Sequence, residues 1–120
     1  MQMKNKNFLY GVRHALEGLL LALRTEKNFL VYFFHILVSL PLNLLVGFSP
    51  MQHLIWGVCV LGVFSAECVN TAIERLCNFL TEAYDEQIKA IKDIAAAAVC
   101  CWGIAFYAAE IFMLGLNLFA

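Results

Sequence analysis

From Phe29 to Ala66 the chain runs for 38 residues without an Asp, Glu, Lys or Arg. One helix needs only about 20 apolar residues to cross the hydrocarbon core of a bilayer, so this run holds two crossings rather than one. The break falls at Gly47-Phe48-Ser49-Pro50, because glycine ends helices and proline is tolerated in the first turn of the next. A third apolar run, Ile94 to Phe119, is interrupted only by Glu110. That residue stands near the far end, and its carboxylate is expected to bend out to water as a solvated end residue. Three spans are expected, at about residues 28–48, 51–78 and 93–119. The composition agrees: 62% of residues are hydrophobic, 14% are charged and the mean hydropathy is +0.77, far from an ordinary soluble domain.

The eight basic residues fall in two places, Lys4, Lys6, Arg13, Arg24 and Lys27 before the first span, and Arg75, Lys89 and Lys92 between the second and third. The excess of Lys and Arg on cytoplasmic segments puts the N-terminus and the second connection inside, and the 47–52 turn and the C-terminus outside. Residues 8–25 place Phe8, Val12, Ala15, Leu16, Leu19, Leu20 and Leu23 at helical spacing, with Arg13, Glu17 and Arg24 elsewhere on the wheel. This predicts an amphipathic helix lying in the interface plane. The early apolar stretch already carries charge, so no cleavable signal peptide is expected. No repeat or linker divides the chain, and residues 1–120 read as one all-α, integral membrane domain, with Thr81 to Lys92 its single long polar stretch.

Three spans alone do not enclose a binding cavity, and small residues such as Ala95 to Ala98 let other helices approach closely, so an oligomer is expected. A net charge of −1 and the lack of a basic face interleaved with aromatics exclude a nucleic-acid partner. Cys59, Cys68, Cys77, Cys100 and Cys101 are odd in number, form no CxxC pair and read as small apolar core residues. Gly57 to Gly62 has the spacing of a phosphate-binding loop, but Val63-Phe64 stands where Lys and a hydroxyl residue are needed, which excludes that route to a nucleotide.

The chemistry gathers at the cytoplasmic end of the second span, in Glu67-Cys-Val-Asn70-Thr-Ala-Ile-Glu74-Arg75. Seven residues bring Glu67 and Glu74 to within about 20° of each other over two turns, with Asn70 on the same side. A carboxylate within a span costs at least about 2.5 to 3.5 kcal/mol at its centre, so two on one face ask for a cation. Arg75, Lys92, Lys27 or a bound metal would serve, and Mg²⁺ is a hard ion that prefers carboxylates, water and phosphate oxygens. Glu26 stands at the entrance of the first span, and Lys92-Asp93 opens the third at the same level. A base, carboxylates for a metal and a lysine for phosphate make a sufficient set for phosphoryl transfer. The bland alternative is that these charges anchor helix ends and pair across the interface.

Glu67-x-x-Asn70-Thr-Ala-Ile-Glu74, Glu26 with a nearby Asn28-Phe29, and Lys92-Asp93 followed by small residues together resemble the prokaryotic diacylglycerol kinase and undecaprenol kinase family, in order and spacing over nearly the whole chain. The resemblance implies a homotrimer of three spans and a surface helix per subunit, with composite sites between subunits. It implies Glu67 as the general base on the lipid hydroxyl, and Glu26 and Glu74 as holders of the Mg²⁺ that bridges the ATP phosphates. Asn70, Asn28 and Phe29 would lie at the lipid substrate, Lys92 on phosphate, and Asp93, Tyr84 and Asp85 at the nucleotide, with Asp93 also positioning Lys92. Three positions depart from the pattern: Asp85 stands where the diacylglycerol branch has His, Asn7 where that branch has a functional Arg, and Leu30 where the undecaprenol branch has Arg. Thr25 to Phe29 leans toward the undecaprenol branch, and either lipid alcohol stays open as substrate.

A second reading from another class is a small proton-coupled transporter in which Glu67 and Glu74 relay protons; small exporters of this length usually need four spans and a membrane-centred acid. Mid-span His35 is expected to be neutral and bonded to a neighbouring helix, and Trp56 and Trp102 to pack. His14 and His53 are read as solvated, Pro41 as a kink, and Tyr10 and Tyr32 are given no role.

Overall fold

Among the described residues, 8–120 of a computed structural model, the chain forms four helices and their connections, without a strand: α1 (Phe8–Thr25), α2 (Lys27–Val46), α3 (Pro50–Leu80) and α4 (Glu86–Phe119). Lys4, Lys6 and Asn7 lie outside the described residues. The turn between α2 and α3 forms where Gly and Pro predict it. Gly47 adopts the left-handed conformation (φ 81°), and its N–H and that of Phe48 close back on the carbonyl of Asn43 at 3.1 and 2.9 Å. Two residues on, Ser49 and Gln52 form a reciprocal capping box, and Pro50 takes the first helical position, where no donor is lost.

Helices α2, α3 and α4 are each long and apolar enough to cross a membrane. At about 1.5 Å per residue, α3 and α4 run to roughly 46 and 51 Å, well beyond a hydrocarbon core of about 30 Å. The extra length lies largely at their shared polar end. There the expected polar loop shrinks to Thr81–Asp85, and α4 begins at Glu86, seven residues before the predicted start of the span at Asp93. The reason is local: Asp85 caps the helix by accepting from the N–H groups of Gln87 and Ile88, and acidic Glu86 sits in the first turn. Polarity marked these residues as leaving the bilayer; it did not unwind them.

Helices α3 and α4 pack along their length, around Cys59, Val63 and Phe106, while α1 and α2 touch the pair more sparsely. Gly62 lets them close: a Cβ there would meet the Trp102 ring at 2.2 Å. Gly62→Ala is therefore expected to cost about 1–3 kcal/mol through overpacking, read as a lower midpoint of thermal unfolding in detergent. An unchanged midpoint would mean that the ring turns aside freely.

Most large apolar side chains point outward, Leu45 and Phe79 among them. In water such a surface would aggregate; in a bilayer it meets acyl chains as apolar as itself. The five cysteines are free, with Cys59 and Cys77 buried as expected, but Cys100 and Cys101 face outward on α4 instead of into the core. On α1, Arg13 hydrogen-bonds Glu17 at 2.8 Å and holds its carboxyl below the usual carboxylate range.

Candidate functional site

Glu67 is the deepest ionisable group at the polar end of α3, with 3% of its surface exposed. The Tyr32 hydroxyl and Asn28 amide of α2 lie beside its carboxyl, and the carboxylates of Glu74 and Glu26 lie near enough for their charge to act on it. One turn along α3, buried Asn70 donates from Nδ2 to Glu74 at 3.3 Å. Its Oδ1 is buried with no partner, an orphaned acceptor in the acidic layer.

Glu26 takes the N-cap position of α2, but its side chain makes no capping bond. It instead reaches Arg75 of α3, at 2.9 Å, and Arg75 also contacts the Thr25 hydroxyl. Through Arg75, the residue after Glu74, α3 is thereby joined to the junction of α1 and α2. Phe29, expected at the substrate, is fully buried against Phe64 at 5.5 Å between ring centres, and acts as the packing that seats Asn28.

Of the residues expected at the nucleotide, Tyr84, Asp85 and Lys92 line a second zone, a cleft of about 470 Å³ shared with Asn78 and Thr81, whereas Glu26, Glu74 and Asp93 do not line it. Lys92 crosses from α4 to α3 and donates to Asn78 Oδ1 at 2.6 Å. An amide acceptor orients the ammonium without neutralising it, so its charge stays available to an anion. Asp93 bonds Lys89 at 2.5 Å rather than Lys92, because neighbours on a helix point about 100° apart while residues four apart share a face. Tyr84 is exposed, and the Asp85 carboxylate is engaged as the helix cap.

Tyr32 and Asn78 are site residues that sequence reasoning missed. Both carry a helical signal: Tyr32 follows Asn28 by four residues, and Asn78 follows Glu74 by four, on the faces already marked. Among the described residues no three His, Cys, Asp or Glu side chains gather as a ready metal cage. A magnesium ion that arrives with nucleotide needs none, since phosphate and water complete its shell, and the oxygens of Glu26, Glu74 and Asn70 suit a hard cation.

A family model described as prokaryotic diacylglycerol kinase matches residues 13–114. The chain belongs to the prokaryotic diacylglycerol kinase family. Within reach of this family the chain is similar to the undecaprenol kinase of Bacillus subtilis (strain 168), at 35% identity over 97 residues that cover 81% of this chain and 79% of that relative. No solved structure matches the chain significantly. Membership of the diacylglycerol kinase family makes this an integral membrane protein, and its residues 13–114 include the acidic layer and the Lys92 cleft.

Proposed function

We propose that the protein is a lipid kinase that moves the γ-phosphoryl group of Mg-ATP to the hydroxyl of a membrane lipid, with a polyprenol of the undecaprenol type as its preferred acceptor. The observation that carries this reading is the buried Glu67 carboxyl, beside Asn28 and Tyr32 and in one layer with Glu74, Asn70 and Glu26. Family membership and the name of the Bacillus subtilis relative support kinase chemistry over proton-coupled transport, and that name supports the polyprenol over diacylglycerol.

In the proposed reaction Glu67 takes the proton as the lipid oxygen bonds to the γ-phosphorus, the bond to the β–γ bridging oxygen breaks, and ADP leaves with that electron pair. Asn28 and Tyr32 hold the Glu67 carboxyl in place, and the Lys92 ammonium, steadied by Asn78, meets phosphate charge. Tyr84 and the start of α4 flank the nucleotide. Glu26 and Glu74 would hold Mg²⁺, which when bound offsets the charge of the phosphates. Helix α1 lies in the cytoplasmic interface, the C-terminus is outside, and three copies assemble with sites completed between subunits.

The test is ATP-dependent labelling of lipid by the purified protein in bilayers, with undecaprenol and diacylglycerol offered separately. Labelled polyprenyl phosphate is expected to form the faster. Labelling of neither lipid would overturn the kinase reading, and a preference for diacylglycerol would overturn the choice of acceptor.

A further inference from the structure

After Lys27, the polar residues of α2 are Asn28, Tyr32, His35, Ser39 and Asn43, at steps of three or four. On a helix these spacings confine all five to an arc of about 80°. Each meets α3 or α4. At the inner end the Tyr32 ring packs on Phe64 of α3 at 6.5 Å between centres, and Asn28 and Tyr32 lie beside Glu67. His35 is fixed with its proton on Nδ1, which bonds the Val31 carbonyl at 2.8 Å, and its Nε2 accepts from the Tyr107 hydroxyl of α4 at 2.8 Å. Ser39 Oγ accepts from the Trp56 indole of α3 at 3.2 Å.

At the outer end Asn43 is fully buried and donates to the Glu110 carboxyl of α4 at 3.3 Å, or, with its amide turned over, at 2.8 Å together with a bond to the Ser39 carbonyl at 3.1 Å. Glu110 is thus no solvated end residue: only 8% of its surface is exposed. The side chain turns inward because a fully buried amide on α2 stands opposite it, and one acidic group in an otherwise apolar helix needs such a partner.

The rest of α2 gives little reason to sit in one orientation. Its other face carries Leu30, Phe33, Phe34, Leu37, Leu44 and Leu45, all exposed. Lipid is as apolar as leucine, so hydrophobic burial does not choose the rotation or depth of this helix, whereas hydrogen bonds between helices do. A shift by one residue turns the stripe by about 100° and carries Asn28 and Tyr32 away from Glu67.

We propose that the Asn43–Glu110 pair is a register key: it fixes the rotation and depth of α2, and so positions Asn28 and Tyr32 on the base, 15 residues or about 22 Å away. Both are positioning residues, and their effect on turnover rests on the lipid-kinase reading above.

The test compares Glu110→Gln, Glu110→Leu and the double variant Asn43→Leu/Glu110→Leu. Two readouts are taken in bilayers: ATP-dependent lipid phosphorylation, and oxidative cross-linking of cysteines placed at Phe29 and Phe64 with the five native cysteines replaced. Gln still accepts from Asn43, so Glu110→Gln is expected to keep both turnover and the cross-link. Glu110→Leu is expected to slow turnover by up to about a hundredfold, as small displacements of reacting groups do, with an unchanged KM for Mg-ATP and a weakened cross-link. The double variant removes both buried polar groups and recovers thermal stability without recovering turnover or cross-link, which a purely stabilising pair would not show. Wild-type turnover or an undiminished cross-link in Glu110→Leu overturns the proposal, as does a Gln variant as slow as Leu. If the wild-type protein labels no lipid, the kinase reading falls alone, and the cross-link still decides whether the key exists.

Discussion

Glu67→Gln is expected to lower lipid phosphorylation by about 10²- to 10⁴-fold, the usual contribution of a positioned general base, while the protein still assembles and inserts. Glutamine matches glutamate in size and keeps a side-chain oxygen beside Asn28 and Tyr32, so the packing of this nearly buried position is kept. What it loses is the capacity to take up the proton of the lipid alcohol. The experiment pairs phosphorylated lipid formed from labelled ATP with size-exclusion profiles of both proteins in one detergent. A fully active Gln variant removes Glu67 from the base role, and loss of activity together with loss of assembly assigns it to folding instead. Tyr32 bears on the same result: its hydroxyl lies beside the carboxyl, so α2 as well as α3 surrounds the base.

The parts of this molecule that a sequence displays well are those set by neighbours along the chain. The helix over residues 8–25 follows from periodicity and the Gly47–Pro50 turn from glycine and proline chemistry, and the described residues are helical over α1 and turn there. The Glu67–Asn70–Glu74 face is likewise a matter of helical spacing. A span that starts at Asp93 does not say where its helix starts, because a capping aspartate followed by good helix formers extends α4 back to Glu86. Glu110, expected in water, and Tyr32, given no role, differ from their sequence reading for another reason: what each does depends on the helix opposite. A polar residue in a span advertises that it needs a partner, but its partner, Asn43 for one and Glu67 for the other, lies 67 or 35 residues away and is supplied only by packing. The α2 stripe was visible as spacing all along; without the α3–α4 pair there was nothing to say which way it faces.

Glu26→Ala and Glu74→Ala are each expected to raise the Mg²⁺ concentration needed for half-maximal turnover by about tenfold or more, in line with the loss of roughly 1.4 kcal/mol or more of carboxylate–metal interaction. The two positions are not equivalent in the free protein. Glu74 accepts from a neutral amide, Asn70 Nδ2, and forms no ion pair among the described residues, whereas Glu26 is already paired with Arg75 at 2.9 Å. Arg75 is partly exposed, so this pair is a weak contributor to stability, and the guanidinium competes with the ion for the same oxygen. Arg75→Met should therefore leave the Mg²⁺ requirement at or below that of the wild type, opposite in direction to Glu26→Ala at the other end of the same salt bridge. If Arg75→Met and Glu26→Ala raise the requirement equally, the bridge itself matters and Glu26 is a structural partner of Arg75. If neither alanine variant changes the dependence on Mg²⁺, the acidic layer does not hold the ion, and the charges around Glu67 serve only to place the base.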